Sequence, residues 1–159
     1  MKPKILIIYY SLTGNIKFMA EKLADILNCD IMDINDVSSK KLSELDLLKD
    51  YFLKTKCDLK LSKTDLDKYD LIIFGYPIWI FNKLHPLFKV LKCNIDSLNL
   101  KYAKFTSYAF YSWNFPGISQ HKNNFIDSLK MKSPLHGYEQ EAIEELTKWC
   151  KRILTKITK

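Results

Sequence analysis

Residues 4–15, Lys-Ile-Leu-Ile-Ile-Tyr-Tyr-Ser-Leu-Thr-Gly-Asn, constrain this chain more than any other stretch. The unbroken apolar run of residues 5–8 ends in a small polar cluster, after which helical periodicity begins. This pattern predicts a strand buried on both faces, the central strand of a parallel sheet.

The polar cluster sets the chemistry. Ser11 and Thr13 bring hydroxyl donors, and Gly14 allows a sharp turn and a close approach to a ligand. From Asn15 onward Met19, Ala20, Leu23, Ala24 and Leu27 recur at three- and four-residue spacing, so a helix starts where the loop ends. Its first amide N–H groups lack partners within the helix, and the helix dipole favours negative charge beside them. These features describe a phosphate seat. An ordinary helix start, capped by Thr13 or Asn15 and binding nothing, accounts for the same residues.

At 159 residues, 47% hydrophobic and 27% charged, the chain suits one soluble domain, residues 1–159, with a full core. No apolar run approaches a membrane span and the first strand follows Met1-Lys2-Pro3 directly, so no membrane partner and a cytoplasmic location are expected. Cys29, Cys57, Cys93 and Cys150 are far apart and read as buried small hydrophobes, not as a zinc or dithiol motif. His85, His121 and His136 are equally scattered, and no metal site is expected. The net charge of +7 comes from 25 Lys and Arg against 18 Asp and Glu. The lysines are dispersed and no nucleic-acid motif accompanies them, so the surplus reads as a solvated basic surface biased toward acidic partners or anionic ligands.

Further along, residues 29–34 alternate polar and apolar and predict a second strand nearer the sheet edge. Leu42, Leu45, Leu48 and Phe52 suggest a broken helix, and residues 54–68 a polar connection. Residues 71–75 form the second clear buried strand. They are followed by Tyr76 to Asn82 and by a helix carrying Leu84, Leu87, Phe88 and Leu91, with Pro86 in its first turn. A fourth strand is predicted over residues 102–109, an aromatic loop over 110–117, a helix over 120–129 and a weak fifth strand over 132–138. Ala142, Ile143, Leu146, Trp149, Cys150, Ile153, Leu154 and Ile157 mark a closing amphipathic helix. Strands and helices alternate throughout, which predicts a doubly wound α/β fold, a five-stranded parallel sheet with helices on both faces.

In such a sheet ligands bind beyond the carboxyl ends of the strands, where the strand order reverses. The loops there carry Ser11 to Asn15, then Tyr76, Trp79 and Phe81, then Tyr108, Phe110, Tyr111, Trp113 and Phe115. A phosphorylated ligand with a flat ring would use both the hydroxyls and the aromatics. Closure of the core or a homodimer contact would also employ these rings. Trp79 is read as stacking on a ligand, while both uses stand open for Trp113.

Ser11-Leu12-Thr13-Gly14-Asn15 resembles the phosphate loop of the flavodoxin family, and Gly75-Tyr76-Pro77-Ile78-Trp79 resembles its second, flavin-flanking loop. The order and spacing of elements are similar over nearly the whole chain. The resemblance implies a flavodoxin-like three-layer sandwich with sheet order 2-1-3-4-5 and FMN as cofactor. It implies that Ser11, Thr13, Gly14, Asn15 and the backbone of Ile16 hold the phosphate. Pro77, Ile78 and Trp79, with Ile80 and Phe81 beyond them, would flank the isoalloxazine, and the loop from Tyr108 through Tyr111 would cover its other side.

Three departures stand out. Ile16 replaces a threonine common in the family, removing one hydroxyl donor. Ile80 stands where many electron carriers have a glycine, and its branched side chain opposes a peptide flip toward the reduced flavin. The chain is basic where typical carriers are acidic, so its redox partner is acidic or it acts on a small-molecule acceptor. The leading expectation is electron transfer through bound FMN, with binding residues and no catalytic side chains. An NAD(P)H-dependent FMN oxidoreductase of the quinone-reductase kind and a non-redox binding module that has lost FMN are the alternatives. A receiver domain is disfavoured, because Tyr9-Tyr10 stands where it needs an acidic pair.

Overall fold

The computed structural model describes residues 2–11, 13–34, 66–77, 100–108, 124–135 and 137–158. Five strands, β1 (Ile5–Tyr9), β2 (Asp30–Asp33), β3 (Leu71–Pro77), β4 (Tyr102–Tyr108) and β5 (Phe125–Lys132), form one sheet of order β2-β1-β3-β4-β5. Every pairing is parallel. Helix α1 (Asn15–Leu27) follows β1, and helix α2 (Glu139–Ile157) closes the chain.

The apolar run behaves as its composition requires. All five residues of β1 are buried, because a strand with neighbours on both edges and cover on both faces has no wet side. Ile5, Ile7 and Tyr9 of β1, Leu71 and Ile73 of β3, and Ala103 and Phe105 of β4 share one face. Both helices lay their apolar stripes on it: Met19, Ala20, Leu23 and Leu27 from α1, and Leu146, Trp149, Cys150 and Ile153 from α2. The side chains between them in sequence, Leu6, Ile8, Ile72 and Phe74, are buried as well. The helices expected around Leu42–Phe52 and Leu84–Leu91 lie outside the described residues.

Gly75 shows how closely this face is packed. It stands opposite Phe105 in the β3–β4 register. A Cβ added there would lie 2.7 and 2.8 Å from Phe105 Cε2 and Cε1, and closer still to Cζ. The Phe105 ring thus occupies the space a side chain would need, and it meets the Trp149 ring edge-on at a centroid distance of 6.3 Å.

The C-terminal third departs from expectation. Residues 125–129 belong to strand β5, not to a helix, and β5 ends at Lys132, so that residues 133–135 and 137–138 lie between it and α2 and not in a fifth strand over 132–138. Residues 120–123 of the expected helix lie outside the described residues. The physical reason is the sheet edge. Leu129 and Met131 pack toward the helix-bearing core while Lys130 and Lys132 take the other face, a period of two. An irregularity where Tyr102 pairs with Phe125 and Ala103 with Asp127 leaves Ile126 out of register and masks that alternation. Strand β2 is Asp30–Asp33, within the expected 29–34, and β4 ends at Tyr108. Cys150 is buried and Cys29 half-buried, in keeping with their reading as small hydrophobes, whereas Cys57 and Cys93 fall outside the described residues. No helix among the described residues is long and apolar enough to cross a membrane.

Candidate functional site

The order β2-β1-β3 makes the carboxyl ends of β1 and β3 the point at which the chain switches direction across the sheet. There the backbone N–H of Tyr10 still donates to Gly75 O at 2.9 Å, and beyond it the two strands part. The hydroxyl oxygen of Ser11, the next residue, exposes less than 1 Å² and has no hydrogen-bond partner among the described residues. Buried hydroxyls are seldom left so, since the orphaned group costs about 1–3 kcal/mol.

Gly14 then takes the left-handed conformation, φ 83° and ψ −20°, and serves as N-cap of α1 without any side-chain cap. The first intrahelical bond runs from Phe18 N–H to Gly14 O at 2.9 Å. The N–H groups of Asn15, Ile16 and Lys17 therefore lie outside the helical ladder. Capping by Thr13 or Asn15, the plain alternative to a ligand seat, does not occur. The first turn carries no acidic residue to compete with a bound anion, and it does carry Lys17. Ile16 buries its side chain in the core, with 1% exposure, so only its backbone is free to serve the loop.

The Asn15 side chain is tied into the protein, whereas its backbone N–H stays outside the helical ladder. That side chain is buried, donating from Nδ2 to Thr13 Oγ1 at 2.9 Å and accepting at Oδ1 from the N–H of Leu135 at 2.9 Å. Leu135 belongs to the turn between β5 and α2, and its Cδ1 would stand 3.3 Å from a Cβ on Gly14. Two residues earlier Ser133 donates its N–H and its hydroxyl to Tyr108 O, at 2.9 and 3.0 Å. Residues 133–135 thus strap the end of β4 to the loop after β1.

Of the remaining expected site residues, Pro77 and Tyr108 end β3 and β4, facing the same crevice end of the sheet as Ser11. Tyr76, just before Pro77, is buried, and burial, followed by the nearby Tyr102, pushes its phenol well above the ordinary value. Lys130 Nζ lies 5.3 Å from the Tyr108 ring centroid, and Lys132 Nζ donates to Tyr138 Oη at 2.6 Å. Ile78, Trp79, Ile80, Phe81 and Tyr111 lie outside the described residues. The structure therefore brings together Ser11, Thr13, Gly14, Asn15 and Ile16 at the junction of β1 and α1 and sets Pro77 and Tyr108 at neighbouring strand ends.

Ser133 and Leu135 are contributions that the sequence reading missed. Reading residues 132–138 as a strand hid them. Had the strand been ended at Lys132, Pro134 and Gly137 would have marked a loop at the same end of the sheet.

No protein-family model matches the sequence, and no curated protein matches it at a significant level. Solved structures do. A Bacteroides uniformis protein provisionally classed as a flavoprotein superposes with a TM-score of 0.65 at 22% identity, the match covering 95% of this chain and 99% of that one. Oxidised flavodoxin 2 from Bacillus cereus gives 0.64 at 17% identity, covering 96% and 99%. A short-chain flavodoxin associated with a bacterial microcompartment gives 0.65 at 14% identity, covering 98% and 99%. Likeness at such identities is a likeness of fold, and with the strand order β2-β1-β3-β4-β5 it establishes that this chain has the flavodoxin-like α/β fold.

Proposed function

We propose that this protein binds FMN in the loop after β1 and passes electrons through it. The observation that carries the reading is the start of α1, which has no side-chain cap, in the same loop as the Ser11 hydroxyl, buried and without a partner among the described residues. A phosphate satisfies both at once. Ser11 would donate its hydroxyl, Thr13 a second one, and the N–H groups of Asn15, Ile16 and Lys17 would point at the anion from the positive end of the helix. Gly14 brings the backbone close enough for this because it has no Cβ. Lys17 adds charge without a fixed contact, its exposed pairing with Glu21 at 3.8 Å being weak.

When bound, the flavin supplies the redox chemistry. The chain's part is to hold the phosphate, to flank the ring with the segments after β3 and β4, and to shield it from water. The expected flanking residues are Pro77, Ile78, Trp79, Ile80 and Phe81 on one side and Tyr108 with Tyr111 on the other. The surplus of positive charge favours an acidic redox partner or an anionic small acceptor.

The test is a visible spectrum of the purified protein before and after addition of FMN, with flavin fluorescence followed in the same titration. Saturable quenching and flavin bands that remain with the protein on gel filtration are expected. A colourless protein that leaves FMN fluorescence unchanged would overturn the assignment. Steady-state oxidation of NAD(P)H by the loaded protein with a quinone acceptor separates a reductase from a passive carrier.

A further inference from the structure

We infer that Asn15 is a positioning residue that makes Thr13 an obligatory donor to the bound phosphate, a conclusion that rests on the phosphate seat proposed above. The direction of the hydrogen bonds settles its orientation. The backbone N–H of Leu135 can only donate, so the group facing it at 2.9 Å must be the Asn15 carbonyl oxygen. The amide nitrogen then faces Thr13 Oγ1, also at 2.9 Å, and it can only donate as well. Thr13 Oγ1 consequently accepts on its inner side, leaving its own proton to be given outward. Thr13 is exposed, on the loop that leads into the uncapped start of α1.

The chain of donation runs from Leu135 N–H through the Asn15 amide to Thr13 and on to the anion. Each link is oriented before the ligand arrives. Hydrogen bonds in series polarise one another, and this amide is buried, with 2% of the residue exposed, so water does not compete for it. In the same loop the Ser11 hydroxyl oxygen, buried and without a partner among the described residues, is a second donor in want of an acceptor. Preset donors select an anion over a neutral or cationic group at that point. The role assigned to Asn15 is thus indirect, and its own side chain does not touch the phosphate.

A double-mutant cycle on the full chain tests this, with FMN and its phosphate-free counterpart riboflavin as ligands. T13V and N15A are each expected to weaken FMN about tenfold, the usual loss for a hydrogen bond to a charged group. Together they should also weaken it about tenfold, and neither should change riboflavin affinity by more than about twofold. T13S, which keeps the hydroxyl, should restore wild-type affinity. Additive losses, about a hundredfold in the double variant, would mean independent contacts and would overturn the relay. So would equal losses of FMN and riboflavin in N15A, which signal a merely structural side chain.

If N15A does not fold, N15D retains the acceptor for Leu135 and turns the Thr13 proton inward. Adding T13V to N15D should then cost nothing further, and a further tenfold loss would overturn the inference. If the wild type binds no FMN, the same cycle is read by thermal shift with inorganic phosphate. Non-additivity there upholds the relay while the FMN assignment falls, and a wild type that binds neither ligand overturns both.

Discussion

Ser11 is where folding and binding pull in opposite directions. Its hydroxyl oxygen is buried with no partner among the described residues, a cost to the folded chain unless an acceptor or donor arrives from outside. Replacing Ser11 with alanine removes that group together with its penalty. The S11A variant should therefore melt at the same temperature as the wild type or slightly above it when ligand-free, and bind FMN about tenfold more weakly. Calorimetry of the ligand-free proteins beside a fluorescence titration measures both. Loss of stability in ligand-free S11A would mean that the hydroxyl has a structural partner. Gly14 is the complementary case, since its φ of 83° is left-handed and the nearest side chain, Leu135, already stands 3.3 Å from where a Cβ would project. The left-handed conformation is what favours glycine there, and the exposed Leu135 side chain would have to give by a few tenths of an ångström as well.

Between elements, the tightest fit is β3 against β4. Gly75→Ala forces a methyl group into the Phe105 ring, which is itself held by Trp149, so the clash cannot relax toward α2. A destabilisation of roughly 3 kcal/mol is expected, the upper range for overpacking a core. Denaturant titration should show Phe105→Leu in the same chain recovering part of it, and full additivity of the two changes would refute the clash. At the edge of the sheet, Asp127 of β5 accepts from Arg152 Nε at 2.7 Å and Lys156 Nζ at 3.1 Å of α2. Burial alone would raise its pKa, but the hydrogen bonds from Arg152, Lys156 and the Ser128 N–H together hold the carboxyl below its ordinary value. A depressed native pKa lends stability above the unfolded value of about 4, and that stability is lost as pH falls through the native one. The melting-temperature gap between wild type and D127N should be present at neutral pH and close in strong acid. A constant gap would exclude the ion pairs as its cause. The pairing between β5 and α2 was the part least legible beforehand. β1, β3 and α2 declare themselves through continuous apolar runs or sustained periodicity, because each is buried on both faces or on one broad stripe. β5 is eight residues of half-buried edge with a register irregularity at its start, and its identity comes from pairing with β4. The candidate site divides in the same way. Ser11, Thr13, Gly14 and Asn15 are consecutive enough to be read as a motif, whereas the Asn15–Leu135 bond joins residues 120 apart through a backbone N–H that any residue other than proline would supply.

For the molecule as a whole, the net charge of +7 acts over distances that no single contact reaches. Charges of both signs lie near the carboxyl end of the sheet: Lys17, Lys130 and Lys132 oppose Glu139 and Glu141 in the first turn of α2. An approaching partner several tens of ångströms away responds to the net excess, and only at close range to this local mixture. At low salt the excess should steer anionic acceptors toward the protein and turn cationic ones away. With FMN bound and reduced, oxidation by hexacyanoferrate(III) should slow as ionic strength rises from about 10 mM to 0.5 M, because the screening length contracts from about 30 Å to a few ångströms. Oxidation by a basic haem protein should accelerate over the same range. An acidic variant, made by charge reversal at the exposed lysines Lys2, Lys68, Lys148 and Lys151, keeps the proposed phosphate loop intact, takes the net charge from +7 to −1 and should reverse both slopes. Stopped-flow rates at five ionic strengths decide the matter. Slopes of the predicted sign point to an acidic physiological partner, since one that is basic, like the partners of typical acidic carriers, would be repelled. Rates indifferent to salt with both acceptors would mean that the local mixture beside the site, not the total, governs encounter.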